Sequence, residues 1–295
     1  MGGPVVSHGV TPFCTRLLAL STALLAALAT TGAVIPPGAQ GAPVFAPVAS
    51  ATITPGVQMI TQGAQCTANY VFRDKRDRLY LGYAAHCAGL GEATQTNGCT
   101  TGSVPLGTPV RFEVGGSQFT AGTVVGRGRL AYSSWATMQR LKTTDPATCA
   151  FNDFALVRIR PADRPKVNPS IPSFGGPTRV RSTTPMTGET VLTYGSSSLR
   201  LGLTLLSPKR GLVTSVDPSG WVVGTYTLTP GIPGDSGSGF LDAAGQAFGV
   251  LSTLALAPLP GENGVISLRK ALSFAQRHSG IPGLRLVPGT EAFGG

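Results

Sequence analysis

The sequence predicts an all-β protein of the barrel or sandwich kind, and three observations carry that expectation. Glycine and proline are abundant, 40 and 24 of 295 residues, and both break helices and set turns. Charged residues make up only 12% against 42% hydrophobic, which excludes a coiled coil and a charge-rich disordered chain. About eleven short alternating or β-branched runs follow one another, nearly every gap marked by Gly, Pro, Asn or Asp.

Taken in order, residues 1–42 read as a signal peptide and leader. Arg16 is the only charged side chain before Arg73. The apolar stretch Leu17–Leu28 after it is short for a bilayer span, and Ala27-Leu28-Ala29 and Thr31-Gly32-Ala33 offer small-residue cleavage sites. An uncleaved anchor is the other reading of this run. Residues 43–62, rich in Pro, Gly, Ala and Thr, read as a leader tail or short pro-segment. Two halves follow, 63–165 and 166–280, with the proline-rich stretch Pro161–Pro177 as the linker between them and 281–295 as a tail. Strands are expected at Tyr70–Arg73, Leu79–Ala84, Val110–Val114, Phe119–Val125 and Phe154–Ile159 in the first half. In the second they are expected at Val191–Tyr194, Leu212–Val216, Trp221–Leu228, Gly239–Asp242, Ala247–Leu254 and Val265–Ser267. One helix is expected over Ser267–His278, with Leu268, Ala271, Leu272 and Ala275 at helical spacing and Gly280 as its stop.

Without residues 1–42 the chain carries 22 basic and 13 acidic side chains, a net charge of +9. The bases are scattered and not interleaved with aromatics, so no nucleic-acid partner is expected. Outside the leader the cysteines are Cys66, Cys87, Cys99 and Cys149. An even number in an exported chain implies two disulfides, with three connectivities open. The absence of Cys-x-x-Cys and His-Glu-x-x-His patterns and of a calcium-type acidic cluster leaves no metal or cofactor expected.

Three segments concentrate chemistry. His86 closes the apolar run Leu81-Gly-Tyr-Ala-Ala-His86-Cys87, whereas His278 at the end of the terminal helix needs no more than a capping role. Asp153 stands at the mouth of the apolar run Phe154–Val157, where a buried carboxylate is costly unless hydrogen-bonded. Ser236 lies in Pro233-Gly234-Asp235-Ser236-Gly237-Ser238-Gly239, a glycine-rich turn able to direct consecutive N–H groups at one point, as an oxyanion hole requires.

Ala84-Ala85-His86-Cys87, Asp153-Phe154-Ala155-Leu156 and Gly234-Asp235-Ser236-Gly237, in that order, resemble the histidine, aspartate and nucleophile motifs of the trypsin-like (chymotrypsin-fold) serine proteases, with the look of a secreted actinobacterial-type member. The resemblance covers about Cys66 to Ser279. It implies two antiparallel six-stranded β-barrels with a C-terminal helix, and an endopeptidase acting as a secreted monomer on polypeptides. In it Ser236 is the nucleophile, His86 the base and Asp153 its orienting group. The N–H groups of Gly234 and Ser236 form the oxyanion hole, and Ser252 supports Asp153. The same resemblance pairs Cys66 with Cys87, leaving Cys99 for Cys149. It places Pro230 at the base of the primary pocket and Ser252, Thr253, Leu254 and Gly264 in its walls. With no acid between Asp217 and Asp235, it implies cleavage after Ala, Val, Leu or Met rather than Arg or Lys. Activity should rise with pH through one ionisation near the usual histidine value of about 6.5.

The chain also departs from the family pattern. Ser238-Gly239 stands where Gly-Pro is usual, Gly126–Thr148 lengthens the gap between His86 and Asp153, and no Ile-Val-Gly-Gly start is present. Asp235 therefore needs another partner, an internal Arg or solvent. Two other functions fit the same motifs: a non-catalytic binding member of the fold, and an esterase using the same triad.

Overall fold

The strands of the first half begin earlier than the composition suggests. The computed structural model describes residues 2, 44–92, 95–254 and 260–295, so the expected signal peptide lies outside the described residues. β1 (Gln58–Thr61) and β2 (Ala64–Thr67) form a hairpin inside and just after the segment read as a pro-segment. Its two-residue turn, Gln62-Gly63, has φ of 48° and 94°, the paired positive angles that match strand twist. Met59 is fully buried and β1 pairs with the fifth strand, so this segment is part of the core.

β3 (Val71–Arg73), β4 (Leu79–Tyr83), β5 (Pro109–Val114), β6 (Thr123–Ser133) and β7 (Ala155–Ile159) follow. Between β6 and β7 lie two short helices that the turn-rich sequence does not announce. α1 (Ser134–Leu141) is capped by Ser133 and ends at Lys142 in the left-handed region; α2 (Pro146–Phe151) is capped by Asp145 with proline in its first turn. With the end of β6 they occupy most of the stretch that lengthens the His86–Asp153 gap. The second half contains β8 (Thr190–Tyr194), β9 (Pro208–Val216), β10 (Val222–Thr227), β11 (Gly239–Asp242), β12 (Ala247–Leu254) and β13 (Asn263–Ser267), then α3 (Leu268–His278) and β14 (Arg285–Leu286). In α3 the four expected apolar residues are buried together with Phe274.

The second half closes as the expected six-stranded antiparallel barrel, in the order β10-β13-β12-β11-β8-β9. The first half differs: it is an eight-stranded sheet, β14-β3-β4-β7-β6-β5-β1-β2. One of the added strands comes from the 281–295 segment, which is no loose tail. Ile281, Leu284 and Val287 are buried, and β14 pairs with β3 and extends its edge. Pro161–Pro177 is not a free linker either. After a 3-10 turn at Pro161–Lys166, Val167, Ile171 and Phe174 bury themselves, and Asn168 Nδ2 donates to Ala46 O and Thr290 Oγ1. One apolar cluster runs from the sheet to α3 and part of the barrel, and a smaller one (Val191, Val213, Val223, Phe240, Phe248, Leu251, Val265) fills the barrel.

Two disulfides, Cys66–Cys87 and Cys99–Cys149, lie in the first half, spanning 21 and 50 residues. In the chain-entropy account such loops contribute about 3 and 4 kcal/mol. Among the described residues no helix is long and apolar enough to cross a membrane.

Candidate active site

His86 sits on a 3-10 turn, Ala85–Ala88, that continues directly from the wholly buried strand β4. Its neighbour Cys87 is bonded to Cys66 in β2, so the turn is tied to a second strand as well as to β4. Cys66, Cys87 and His86 bring ligand-type atoms within 4.8 Å of one another. The two sulfurs are bonded to each other, however, and offer no thiolate to a metal.

Asp153 lies just before β7 and is 3% exposed. Oδ1 accepts the backbone N–H of His86 at 2.8 Å; Oδ2 accepts His86 Nδ1 at 2.7 Å and Ser252 Oγ, near the end of β12, at 2.6 Å. An ionised carboxylate only accepts, so Nδ1 carries the proton of the neutral ring and Nε2 keeps a lone pair. Burial penalises the imidazolium, but the charge of Asp153 and its hydrogen bond outweigh that cost and raise the His86 pKa above 6.5. For Asp153, burial pushes upward; the charge of His86 and the three hydrogen bonds prevail, and its pKa is lowered.

The Gly234–Gly237 turn packs against the strand that leads to His86. Thr67 N donates to Ser236 O at 2.8 Å, Asn69 Nδ2 to Gly237 O at 3.0 Å, and Gly237 N to Leu251 O at 2.7 Å, one residue before Ser252. Gly237 has φ 89°, and a Cβ there would meet Thr67 O at 2.7 Å and Ala84 N at 2.8 Å. Only glycine permits this approach, which sets Ser236 against the segment carrying His86. Among the described residues no hydrogen bond joins Ser236 Oγ to the His86 ring, although both are partly exposed.

The N–H groups of Gly234 and Ser236 have no acceptor among the described residues, whereas Asp235, Gly237 and Ser238 all donate to backbone carbonyls. Neighbouring carbonyls fix where these two free donors point. Pro233 O accepts Ser197 Oγ, and Asp235 O accepts Ser238 N. In a trans peptide the N–H points opposite to the C=O, so anchoring each carbonyl orients the following N–H. Gly234 O is tied in turn by Gln65 Nε2 at 2.9 Å and Thr67 Oγ1 at 2.8 Å.

Asp235, fully buried, finds internal partners. Oδ2 accepts Arg200 Nη2 at 3.0 Å and Ile232 N at 3.1 Å, with Lys209 Nζ at 3.5 Å, and Oδ1 accepts Ser197 N at 3.0 Å. Arg200 Nη2 also donates to Pro230 O at 2.6 Å, linking the expected pocket base to the turn that contains Ser236. Burial pushes the Lys209 pKa down to about 8; Asp235 pulls it upward and Arg200 adds to the depression.

Of the expected pocket residues, Ser252 is engaged by Asp153, Thr253 and Leu254 are exposed, and Gly264 lies against Thr253, where a Cβ would stand 2.2 Å from Oγ1. Sequence reasoning missed Asn263. It is fully buried; its Oδ1 accepts Gly231 N at 2.7 Å and its Nδ2 donates to Gly231 O at 3.0 Å and Thr253 O at 3.4 Å. Glu262, the acid nearest in sequence, faces Thr214 and Ser215 of β9. Arg200, Lys209, Gln65 and Thr67 were missed as well; the one signal pointing to the first two was the need of Asp235 for a cation.

No protein-family model and no curated protein sequence matches the chain. Several solved structures are similar to it. Thermobifida fusca protease A is 20% identical, with 80% of this chain and 99% of that one covered and a TM-score of 0.48. A Nocardiopsis protease is 20% identical, covering 79% and 98%, at a TM-score of 0.45. A serine protease specific for glutamic acid is 17% identical, covering 80% and 100%, at a TM-score of 0.46.

Proposed function

We propose that the protein is a secreted serine endopeptidase that hydrolyses peptide bonds through an acyl-enzyme, as a monomer and without a metal or cofactor. The observation that carries this reading is the hydrogen-bonded line His86–Asp153–Ser252, with the Ser236 turn bonded to the residue before Ser252. Ser236 Oγ attacks the scissile carbonyl carbon while His86 Nε2 takes its proton; Asp153 holds the ring and balances the imidazolium. The N–H groups of Gly234 and Ser236 receive the oxyanion, each good donor contributing about 3–4 kcal/mol. The imidazolium then protonates the leaving amine, and water, deprotonated by His86, releases the acid and restores Ser236. Export agrees with the two disulfides and with the leader expected from the sequence.

In this reading Pro230, Thr253, Leu254 and Gly264 line the primary pocket, and the amide of Asn263 sits beside its base. Asn263 is neutral and its donors are spent on the backbone, while Glu262 is engaged elsewhere. A lysine or arginine side chain would find no counter-charge there, which favours small and medium apolar residues.

A fluorophosphonate probe tests the activity: it should label the wild type and not Ser236→Ala, and casein should be cleaved in preference to a short-chain ester. Labelling that is absent, or equal in both proteins, overturns the assignment. A positional-scanning peptide library tests the pocket, and a dominant preference for Arg or Lys would refute it.

A further inference from the structure

The outer face of the eight-stranded sheet gathers arginines that are scattered in the sequence. β7, β6 and β5 lie side by side in its interior. β5 carries Arg111, β6 carries Arg127 and Arg129, β7 carries Arg158, and Arg160 follows one residue past its end. All five are exposed, while Phe112, Gly128, Leu130, Val157 and Ile159 between or beside them are buried, so strand alternation sends each arginine to the outside.

Strand register turns this alternation into two rows of like charge. Arg111 stands directly opposite Arg127, and Arg129 directly opposite Arg158. Arg160 N donates to Arg127 O at 3.1 Å and extends the first row. Side chains so opposed start about 4.5–5.5 Å apart, and like charges in that position repel. Protection of a sheet edge does not explain them, since none of the three strands is an edge strand.

Carboxylates do not relieve the repulsion. All 13 acidic side chains belong to described residues. Glu113 pairs with Arg111 at 2.7 Å. Asp163 feels the charge of Arg160, but it is bonded to Lys166 at 2.8 Å and accepts the backbone N–H of Arg127 at 3.1 Å. Among the described residues Arg127, Arg129, Arg158 and Arg160 form no ion pair, and Arg129 Nη1 donates only to Gly107 O, at 2.9 Å.

We infer that this face binds a linear polysaccharide bearing carboxylates, laid across β5, β6 and β7. The planar guanidinium fork matches a carboxylate. The rows lie about 7 Å apart along the strands and reach about 10 Å across them, so one chain meets several charges where a small ion would meet one or two. Phe112 and Tyr132 are buried, so these strands offer nucleic-acid bases no ring to stack on. Each strand is paired on both sides, which leaves no backbone edge for an acidic peptide to join. The site is separate from the proposed hydrolysis and does not depend on it: Arg158 and Arg160 stand about 17 and 23 Å along an extended chain from Asp153.

Titration of the full protein with polygalacturonate, against neutral dextran of equal length, tests the inference. Saturable binding that weakens as salt rises is expected for polygalacturonate and none for dextran; no binding of polygalacturonate overturns the proposal. Arg127→Gln with Arg158→Gln takes one residue from each facing pair and should raise Kd at least tenfold. Arg179→Gln with Arg269→Gln removes the same charge from exposed arginines elsewhere and should change Kd less than threefold. Equal effects in the two double variants mean attraction by net charge alone and overturn the inference. Should the first double variant fail to fold, Arg129→Gln with Arg160→Gln provides the same comparison. A single-stranded oligonucleotide, or vesicles of anionic lipid, bound more tightly than polygalacturonate at equal charge would give the face a different partner and refute this one.

Discussion

Asp153→Asn isolates the charge and the acceptor geometry of one buried side chain. Three donors converge on the carboxylate: His86 N on Oδ1, and His86 Nδ1 and Ser252 Oγ on Oδ2. Asparagine must place its NH₂ at one of the two positions. At the Oδ1 position it confronts a backbone N–H, which cannot become an acceptor, and the turn carrying His86 loses its tether. At the Oδ2 position it forces Nδ1 to accept, and the ring proton moves to Nε2, where the proton of Ser236 has to go. Either placement disables the base, so kcat/KM should fall about 10⁴-fold, close to 5.5 kcal/mol of transition-state stabilisation. Stability should change far less, by about 1–3 kcal/mol for one mismatched buried hydrogen bond. Removing the charge also removes what raises the His86 pKa and leaves burial, which lowers it. The residual activity should therefore have its acid limb at a lower pH than the wild type. The assay is kcat/KM against pH on a peptide substrate, with thermal unfolding alongside. A loss below tenfold, or an acid limb that does not move down, would refute this reasoning.

In the wild type the acid limb of kcat/KM should lie above 6.5, because the folded His86 holds its proton more tightly than a free imidazole; a limb at or below 6.5 counts against the Asp153 contact. By the same linkage, the stability from the raised His86 pKa is fully present below 6.5 and fades as pH climbs through the folded value, while that from the lowered Asp153 pKa is lost in acid. Replacing Cys99 and Cys149 together by alanine should cost about 4 kcal/mol, roughly 8–16 °C in Tm, with activity retained at low temperature. Activity lost in proportion to stability would assign that bridge a role at the site. Deleting residues 281–295 should yield insoluble or unfolded protein, since it strips β14 and the buried Ile281, Leu284 and Val287 from the sheet; a soluble, cooperatively folding truncation contradicts the placement of β14.

The proposed reacting groups were legible because each sits in a short run whose composition is unusual by itself: a histidine closing an apolar strand, an acid opening one, a serine among glycines. The groups that hold them were not. Arg200 and Lys209 look like ordinary surface bases in sequence, and only the strand pairing and the loop after β8 bring them to Asp235. Asn263 reads as turn punctuation, and its amide becomes informative only once Gly231 lies opposite it. The hairpin β1–β2 escaped because QMIT and AQCT are too short and too polar to alternate clearly. The helix α1 escaped because its buried face is little more than Trp135 and Met138. β14 has two residues and no pattern at all; it is a strand only because β3 offers it an unpaired edge.

That late strand fixes the order of events in the life of the chain. β14 completes the sheet that carries His86, and Asn168, Ser170 and Gly176 bond to Thr290 and Glu291 across the same seam. Long-range pairings of this kind form slowly, because distant parts of the chain must meet before anything rewards the encounter. A ribosome making this protein releases those residues after every other strand of the sheet. The first half, although synthesised early, must wait with an open edge until they arrive. A chain still being synthesised therefore lacks the finished sheet from which the His86 turn continues, and that part of the molecule reaches its final form only after β14 has joined β3.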